Sequence, residues 1–401
     1  MKVTRLMGAA VILTALVAGC ANNGGTSSSG GNTGNQTGPI KIGVIVPQSG
    51  PAGPNGAEVL GSIQVQADLI NKAGGVLGRQ LEVVSKDDQS TPAAGVSAAT
   101  DLVSQGVSVV MGGWNSPVTL AIQPVLVRAG VLNVTSIPQN ASIIGGADPD
   151  AVRMNAGNAV GAYAAGQYIG KTLNAKTVAY LLENDAYGTD AGTYLTKQLQ
   201  PLGAKVVTEQ KFAYSDTDFR VPLSNINSAH PDVVFSANAA ESSGMPAMAK
   251  QYVESSIKAP HFAALGTVSP KVIKLAGGTA IDGLLSADDY FPGAPQFADI
   301  PENKTFIAAY QKKSGELPSK YAALGAQSVD VWAKAVAKAG TTDRQKVADA
   351  IHGHSFTGTI FGDVSFTDKG QMKTKIYAFT VSGGNIKVLN EIPIPDEVWQ
   401  Q

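Results

Sequence analysis

Between Gly112 and Thr119 the chain reads Gly112-Gly113-Trp114-Asn115-Ser116-Pro117-Val118-Thr119, at the point where an apolar run ends and a helical period begins. Glycines let the backbone come close to a small molecule. The unpaired amides at a helix start, with the Ser116 hydroxyl beside them, suit a carboxylate. A purely structural role is also open: Ser116 caps its helix while Pro117 takes the first helical position, and the two roles are compatible. Asn115 shares the loop. Trp114 offers an apolar wall or a stacking face, or else closes the core.

Other reactive side chains form no constellation. Asp87 and Asp88 are adjacent at a strand end, where acidic pairs cap or face solvent. His352 and His354 flank Gly353 without a neighbouring acid or thiol, so no metal site is expected. There is no Gly-x-Ser-x-Gly elbow, phosphate-binding loop or His-Glu-x-x-His helix, and neither an enzyme nor a cofactor is expected. The single cysteine, Cys20, forbids an intramolecular disulfide and a Cys-rich metal centre. Thirty basic against thirty-one acidic residues leave a charge of -1, without the basic surplus of a nucleic-acid binder.

The amino end has the pattern of an export address. Lys2 and Arg5 precede an uncharged run from Leu6 to Gly19, too short to span a bilayer. Leu16-Val17-Ala18-Gly19 followed by Cys20 looks like a lipobox, in which the thiol is acylated and holds the mature chain at a membrane. The polar tract from Ala21 to Gly38 lacks apolar groups to offset the entropy of ordering, so it reads as a tether. Residues 1–19 are thus expected to be a signal, and 20–39 a lipidated cysteine with its tether.

From Ile40 onward, with 44% hydrophobic residues in the whole chain, there is material for sizeable cores. Short apolar runs alternate with helical stretches. Strands are expected at 42–46, 81–85, 107–112, 131–135, 177–182, 205–212, 233–237, 261–264 and 283–286, with helices over 57–73, 93–105, 117–129, 159–173, 189–202 and 218–229 between them. Such alternation predicts α/β architecture with doubly wound parallel sheets. The tail differs: helices over 301–314 and 321–339, then short antiparallel strands at 364–366, 376–381 and 386–389. It is expected to complete the two preceding units, which gives 40–158 plus 286–368 for lobe 1 and 159–285 plus 369–401 for lobe 2.

The segments Lys41 to Pro51, Ile70 to Leu81, Asp87-Asp88, Val110 to Gly113, Ala186-Tyr187-Gly188, Asp216 to Phe219, Pro231 to Val234, Tyr321 to Leu324, Gly362 to Phe366 and Asp368-Lys369-Gly370, in collinear order, resemble the branched-chain amino acid binding proteins of bacterial ABC importers. The resemblance implies a type I periplasmic binding protein fold, with two lobes joined by a three-crossing hinge and a small ligand between them. Open α/β sheets bind ligands beyond the carboxyl ends of their strands, and facing lobes turn those tips into a cleft that closes.

In the family, the serine at the place of Ser116 binds the ligand carboxylate. Gln139 stands where relatives usually supply a threonine, and Pro138 removes an amide donor. Tyr187 matches an aromatic that the second lobe brings onto the ligand, Asn55 falls where many relatives place a cleft aromatic, and Asn238 with Glu241 follows a strand tip that often carries another. Relatives that bind amino acids commonly place a carboxylate at the position of Leu265, next to Gly266. A leucine cannot neutralise an ammonium, so Glu241 or Asp185 takes that role or the ligand lacks an amine. The expected function is an exported, membrane-anchored solute-binding lipoprotein, a monomer, at the cell surface or in the periplasm. It would deliver an amino acid or related small carboxylate to an ABC permease. An amine-free aliphatic or aromatic acid, or a sensory role, is the alternative.

Overall fold

The computed structural model describes residues 38–50 and 52–401. The expected signal, Cys20 and the tether up to residue 37 lie outside the described residues. The last two tether positions do not behave as a leash: Arg79 donates to the carbonyls of Gly38 (2.7 Å) and Pro39 (3.1 Å), which leads directly into the first strand.

The first part of the chain runs β1 (Ile40–Val46), α1 (Gly53–Lys72), β2 (Leu81–Asp87), α2 (Pro92–Ser104), β3 (Val109–Gly112), α3 (Ser116–Ala129), β4 (Leu132–Thr135) and β5 (Val152–Arg153). These strands form a five-stranded sheet in the order β2-β1-β3-β4-β5, with every pairing parallel. β1 is apolar at nearly every position, as a strand covered on both faces must be. The chain continues through α4 (Asn158–Gln167), β6 (Thr177–Glu183), α5 (Ala186–Leu199), β7 (Lys205–Phe212) and α6 (Arg220–Ser228). Next come β8 (Val233–Ala237), α7 (Gly244–Glu254), β9 (His261–Ala263), α8 (Pro270–Leu275) and β10 (Leu285–Asp288).

The remainder holds α9 (Pro295–Ala298), α10 (Pro301–Ser314), α11 (Lys320–Ala339), α12 (Arg344–Ile351), β11 (Ser355–Thr359), β12 (Gly362–Phe366), β13 (Met372–Lys373), β14 (Ile376–Ser382), β15 (Asn385–Ile392) and α13 (Asp396–Trp399). The second sheet has seven strands ordered β15-β14-β10-β9-β8-β6-β7; β14 and β15 join it antiparallel. A third, antiparallel sheet of β11-β12-β13 belongs with the first, since Gln371 bridges Arg153 of β5. α11 returns to the first lobe and packs on α1. A Cβ at Gly325 would lie 2.5 Å from the Ser62 hydroxyl, so the two helices cross closely only because that position is bare.

The chain therefore passes between the lobes after β5, after β10 and after β13. Two expected boundaries sit elsewhere. β10 keeps the chain in the second sheet to Asp288, past the boundary at 285, because it pairs with both β9 and β14. Residues 369–373 stay with the first lobe instead of joining the second: β13 pairs with β12, and the Gly370 carbonyl accepts from the Arg153 amide at 2.9 Å.

Candidate functional site

β3 ends at Gly112 and Gly113, with φ of 98° and 83°, a region that side chains rarely adopt. A Cβ on Gly112 would sit 2.9 Å from the Ile45 carbonyl. This turn presents Trp114, Asn115 and Ser116 at the start of α3. Asn115 is the N-cap residue and makes no side-chain cap bond. Ser116 is 2% exposed and is not a cap either; its oxygen accepts from the Asn140 amide at 3.3 Å, leaving the hydroxyl proton to donate.

The loop after β4 is held from behind by Arg153, which is fully buried. Its Nη1 donates to the carbonyls of Gln139 (3.1 Å) and Asn140 (2.8 Å), and its Nε to Gln371 Oε1 (2.5 Å). Burial pulls this guanidinium down to about 10. Opposite, the second lobe contributes strand tips. Glu183 closes β6, Asp185 caps α5 by accepting from the Gly188 amide at 2.9 Å, and the β8 tip leads to Ala239 and Glu241.

These groups surround one cavity. Trp114, Asn115, Ser116, Gln139, Tyr187, Glu241 and Gly266 all line it, with Glu183, Asp185, Thr267 and Tyr321. The free volume is about 30 Å³, room for about two or three waters, so an organic solute needs the lobes further apart. Hydrogen bonds between the lobes close it. Trp114 Nε1 donates to the Ala239 carbonyl (3.3 Å), Gln139 Nε2 to that of Leu265 (3.1 Å), and Asn140 Nδ2 to that of Ala186 (2.9 Å). Ser242 Oγ donates to Asn55 Oδ1 (2.5 Å), and the Tyr321 hydroxyl to the Gly266 carbonyl. Trp114 and Tyr321 meet edge to face with centroids 4.8 Å apart.

Three of the sequence-based candidates lie outside the lining. Leu265 turns its side chain into the second-lobe core against Gly161, so only its carbonyl touches the site. Asn238 turns its Oδ1 onto its own loop, accepting from the Ala240 amide at 2.9 Å. Asn55 sits at the rim in the contact with Ser242. The sequence reading missed Glu183, Thr267 and Tyr321 as lining groups. An acid ending the apolar run of β6 was a usable signal for Glu183; for Tyr321, on a helix far along the chain, no local signal exists.

The site's electrostatics are set by burial. Glu183 is pushed up to about 9, first by desolvation and then by Asp185. Its Oε2 accepts from the Ala239 amide at 3.0 Å. Desolvation, reinforced by Glu58, raises Glu241 well above the carboxylate range, against a weaker opposing bond from Ser269. Glu183 therefore keeps its proton at neutral pH, and burial pushes Glu241 in the same direction. The Tyr187 hydroxyl is buried without a protein partner, and burial among these acids raises it as well. Among the described residues, no lysine or arginine lines the cavity. Lys320 lies just behind Gly266, where a Cβ would come 2.5 Å from its Nζ, paired with Asp288 at 2.7 Å and Asp289 at 3.5 Å.

Comparison with known proteins agrees with this architecture. The family model described as periplasmic binding protein matches residues 39–385. A leucine-, isoleucine-, valine-, threonine- and alanine-binding protein of Pseudomonas aeruginosa is 30% identical over 85% of this chain and 89% of its own. Among solved structures, a leucine-binding protein from Thermotoga maritima superposes with a TM-score of 0.79 at 25% identity, covering 89% of this chain and 99% of that one. An R. palustris solute-binding protein in complex with benzoate gives 0.79 at 21% identity, covering 88% and 96%.

Proposed function

Because this chain belongs to the periplasmic binding protein family, we propose that its cleft takes a small carboxylate without an ammonium group, a benzoate-like acid above all. The coarser role follows from the family: an extracytoplasmic, non-catalytic solute-binding protein that hands a small ligand to an ABC permease. The observation that supports the finer reading is the donor set. Ser116 has an unspent hydroxyl proton, and Glu183, raised to about 9 by burial, lines the same cavity from the second lobe with a carboxyl proton to give, so an anionic oxygen meets a donor from each lobe. Trp114 and Tyr321 supply an aromatic wall beside Ser116, and the core-facing Leu265 supplies no fixed negative charge for an amine.

In this reading Ser116 and Asn115 hold the carboxylate, and Tyr187 and Glu241 close on the far side. Gln139 and Gly266 form the seam between lobes. Cys20 carries the lipid anchor, and the protein works as a monomer.

One observation favours an α-amino acid instead: three acidic side chains, Glu183, Asp185 and Glu241, line a single cavity. An ammonium there would draw protons off the buried acids. The name of the P. aeruginosa relative points the same way. Titration calorimetry with benzoate and with leucine, each in two buffers of different ionisation enthalpy at pH 7, separates the readings. Binding of benzoate without proton release supports the first; binding of leucine with proton release, and no heat from benzoate, replaces it with the second. Silence toward both rejects the carboxylate site.

A further inference from the structure

Beyond Gly266 and Tyr321 lies a second space of about 350 Å³, within the range of small-molecule sites. Its walls are mainly apolar, from Val268, Pro270, Tyr290, Phe291, Leu317 and Val388, and the buried Lys320–Asp288 pair forms one side. Gly266 and Tyr321 line both this chamber and the smaller cavity beside Ser116. The partition between the two spaces includes the bond from the Tyr321 hydroxyl to the Gly266 carbonyl.

The partners in that bond belong to different lobes. Gly266 is in the loop after β9 of the second sheet, whereas Tyr321 is on α11, packed against α1 of the first lobe. Hinge opening, which the 30 Å³ cavity requires before any solute enters, parts them and merges the two spaces. On the second-lobe side the partition is bare backbone, since Gly266 has φ of +80° and a side chain there would collide with Lys320.

We propose that cavity and chamber form one elongated site, so that this protein takes carboxylates whose apolar tail extends past a single ring into the chamber. This rests on the reading that the carboxylate docks at Ser116. The experiment is calorimetric titration of the protein with a series from benzoate through phenylacetate to 6-phenylhexanoate, repeated on Gly293→Trp. Gly293 is an exposed residue at the rim of the chamber and does not line the smaller cavity; a Cβ there meets nothing within 4 Å, so an indole is accommodated at the chamber's mouth, where it obstructs a long tail.

Affinity is expected to rise about fourfold for each added methylene until the chamber is full. In Gly293→Trp the long acids should fall back to the level of benzoate, whose own affinity stays within about twofold. Benzoate binding with a flat series, or a slope that survives Gly293→Trp, overturns the elongated site and leaves the carboxylate reading standing. No heat from any member, benzoate included, overturns both.

Discussion

Trp114 and Ala239 meet across the cleft: the indole Nε1 donates to the carbonyl at 3.3 Å, joining the loop after β3 to the loop after β8. The same carbonyl-bearing residue offers its amide to Glu183. A single dipeptide-sized patch thus connects the closing contact to a buried acid of the lining.

Trp114→Phe keeps the aromatic wall and removes this donor. A net hydrogen bond is worth roughly 0.5–1.5 kcal/mol, so ligand affinity should weaken by roughly threefold to tenfold and the mean solution size grow. Small-angle scattering with and without ligand reads the second effect. Unchanged scattering and affinity would show that the bond does not hold the lobes together.

Ser116→Ala removes the unspent hydroxyl proton and the acceptor for Asn140. Binding of a carboxylate is expected to weaken by roughly 1–3 kcal/mol, and the melting temperature to fall as well because the buried Asn140 amide loses its acceptor. Full affinity in the variant would place the carboxylate elsewhere.

Glu183 links stability to pH. Its carboxyl, ordinarily near 4.5, titrates at about 9 in the folded chain. Between those values the unfolded chain has released a proton that the folded chain keeps, so stability falls as pH rises through this window and is level on either side. Glu183→Gln should therefore melt higher than the parent at pH 8 and converge with it near pH 4. Parallel melting curves across pH 4 to 9 would refute burial as the cause.

Lys320 is the cation of a buried triad with Asp288 and Asp289. Lys320→Met leaves those acids unpaired and is expected to cost about 3–5 kcal/mol in urea denaturation. Desolvation, ahead of the opposing Lys320 charge, already raises Asp288 to about 7. Protonation near pH 5 should then recover part of the loss; equal destabilisation at pH 5 and pH 8 would contradict this.

Cys20→Ala tests the anchor. The parent should partition with detergent in cloud-point extraction of whole cells, and the variant with the aqueous phase. Identical partitioning would exclude acylation at Cys20.

The elements legible in the sequence are those whose pattern is local. β7, β8 and α10 have the observed limits that strand composition and helical period imply, because turn residues and glycine stops punctuate them within a few positions. The loop from Gly112 to Ser116 was equally readable, since a strand ending in paired glycines before a helix has little other geometry. β5 was not: two residues form a strand only because β4 and Gln371 lie on either side.

What the tertiary structure decided is direction and company. The family resemblance placed Leu265 at the ligand, but its side chain packs into the core, and a residue's orientation after a strand end depends on packing. Sequence also named Ser116, Tyr187 and Glu241 separately; only folding brings them round one cavity with Glu183 and Tyr321 and removes the water that favours the ionised form of those acids. Residue type and spacing determined the lobes, while the protonation of the cleft belongs to burial, which no stretch of sequence contains by itself.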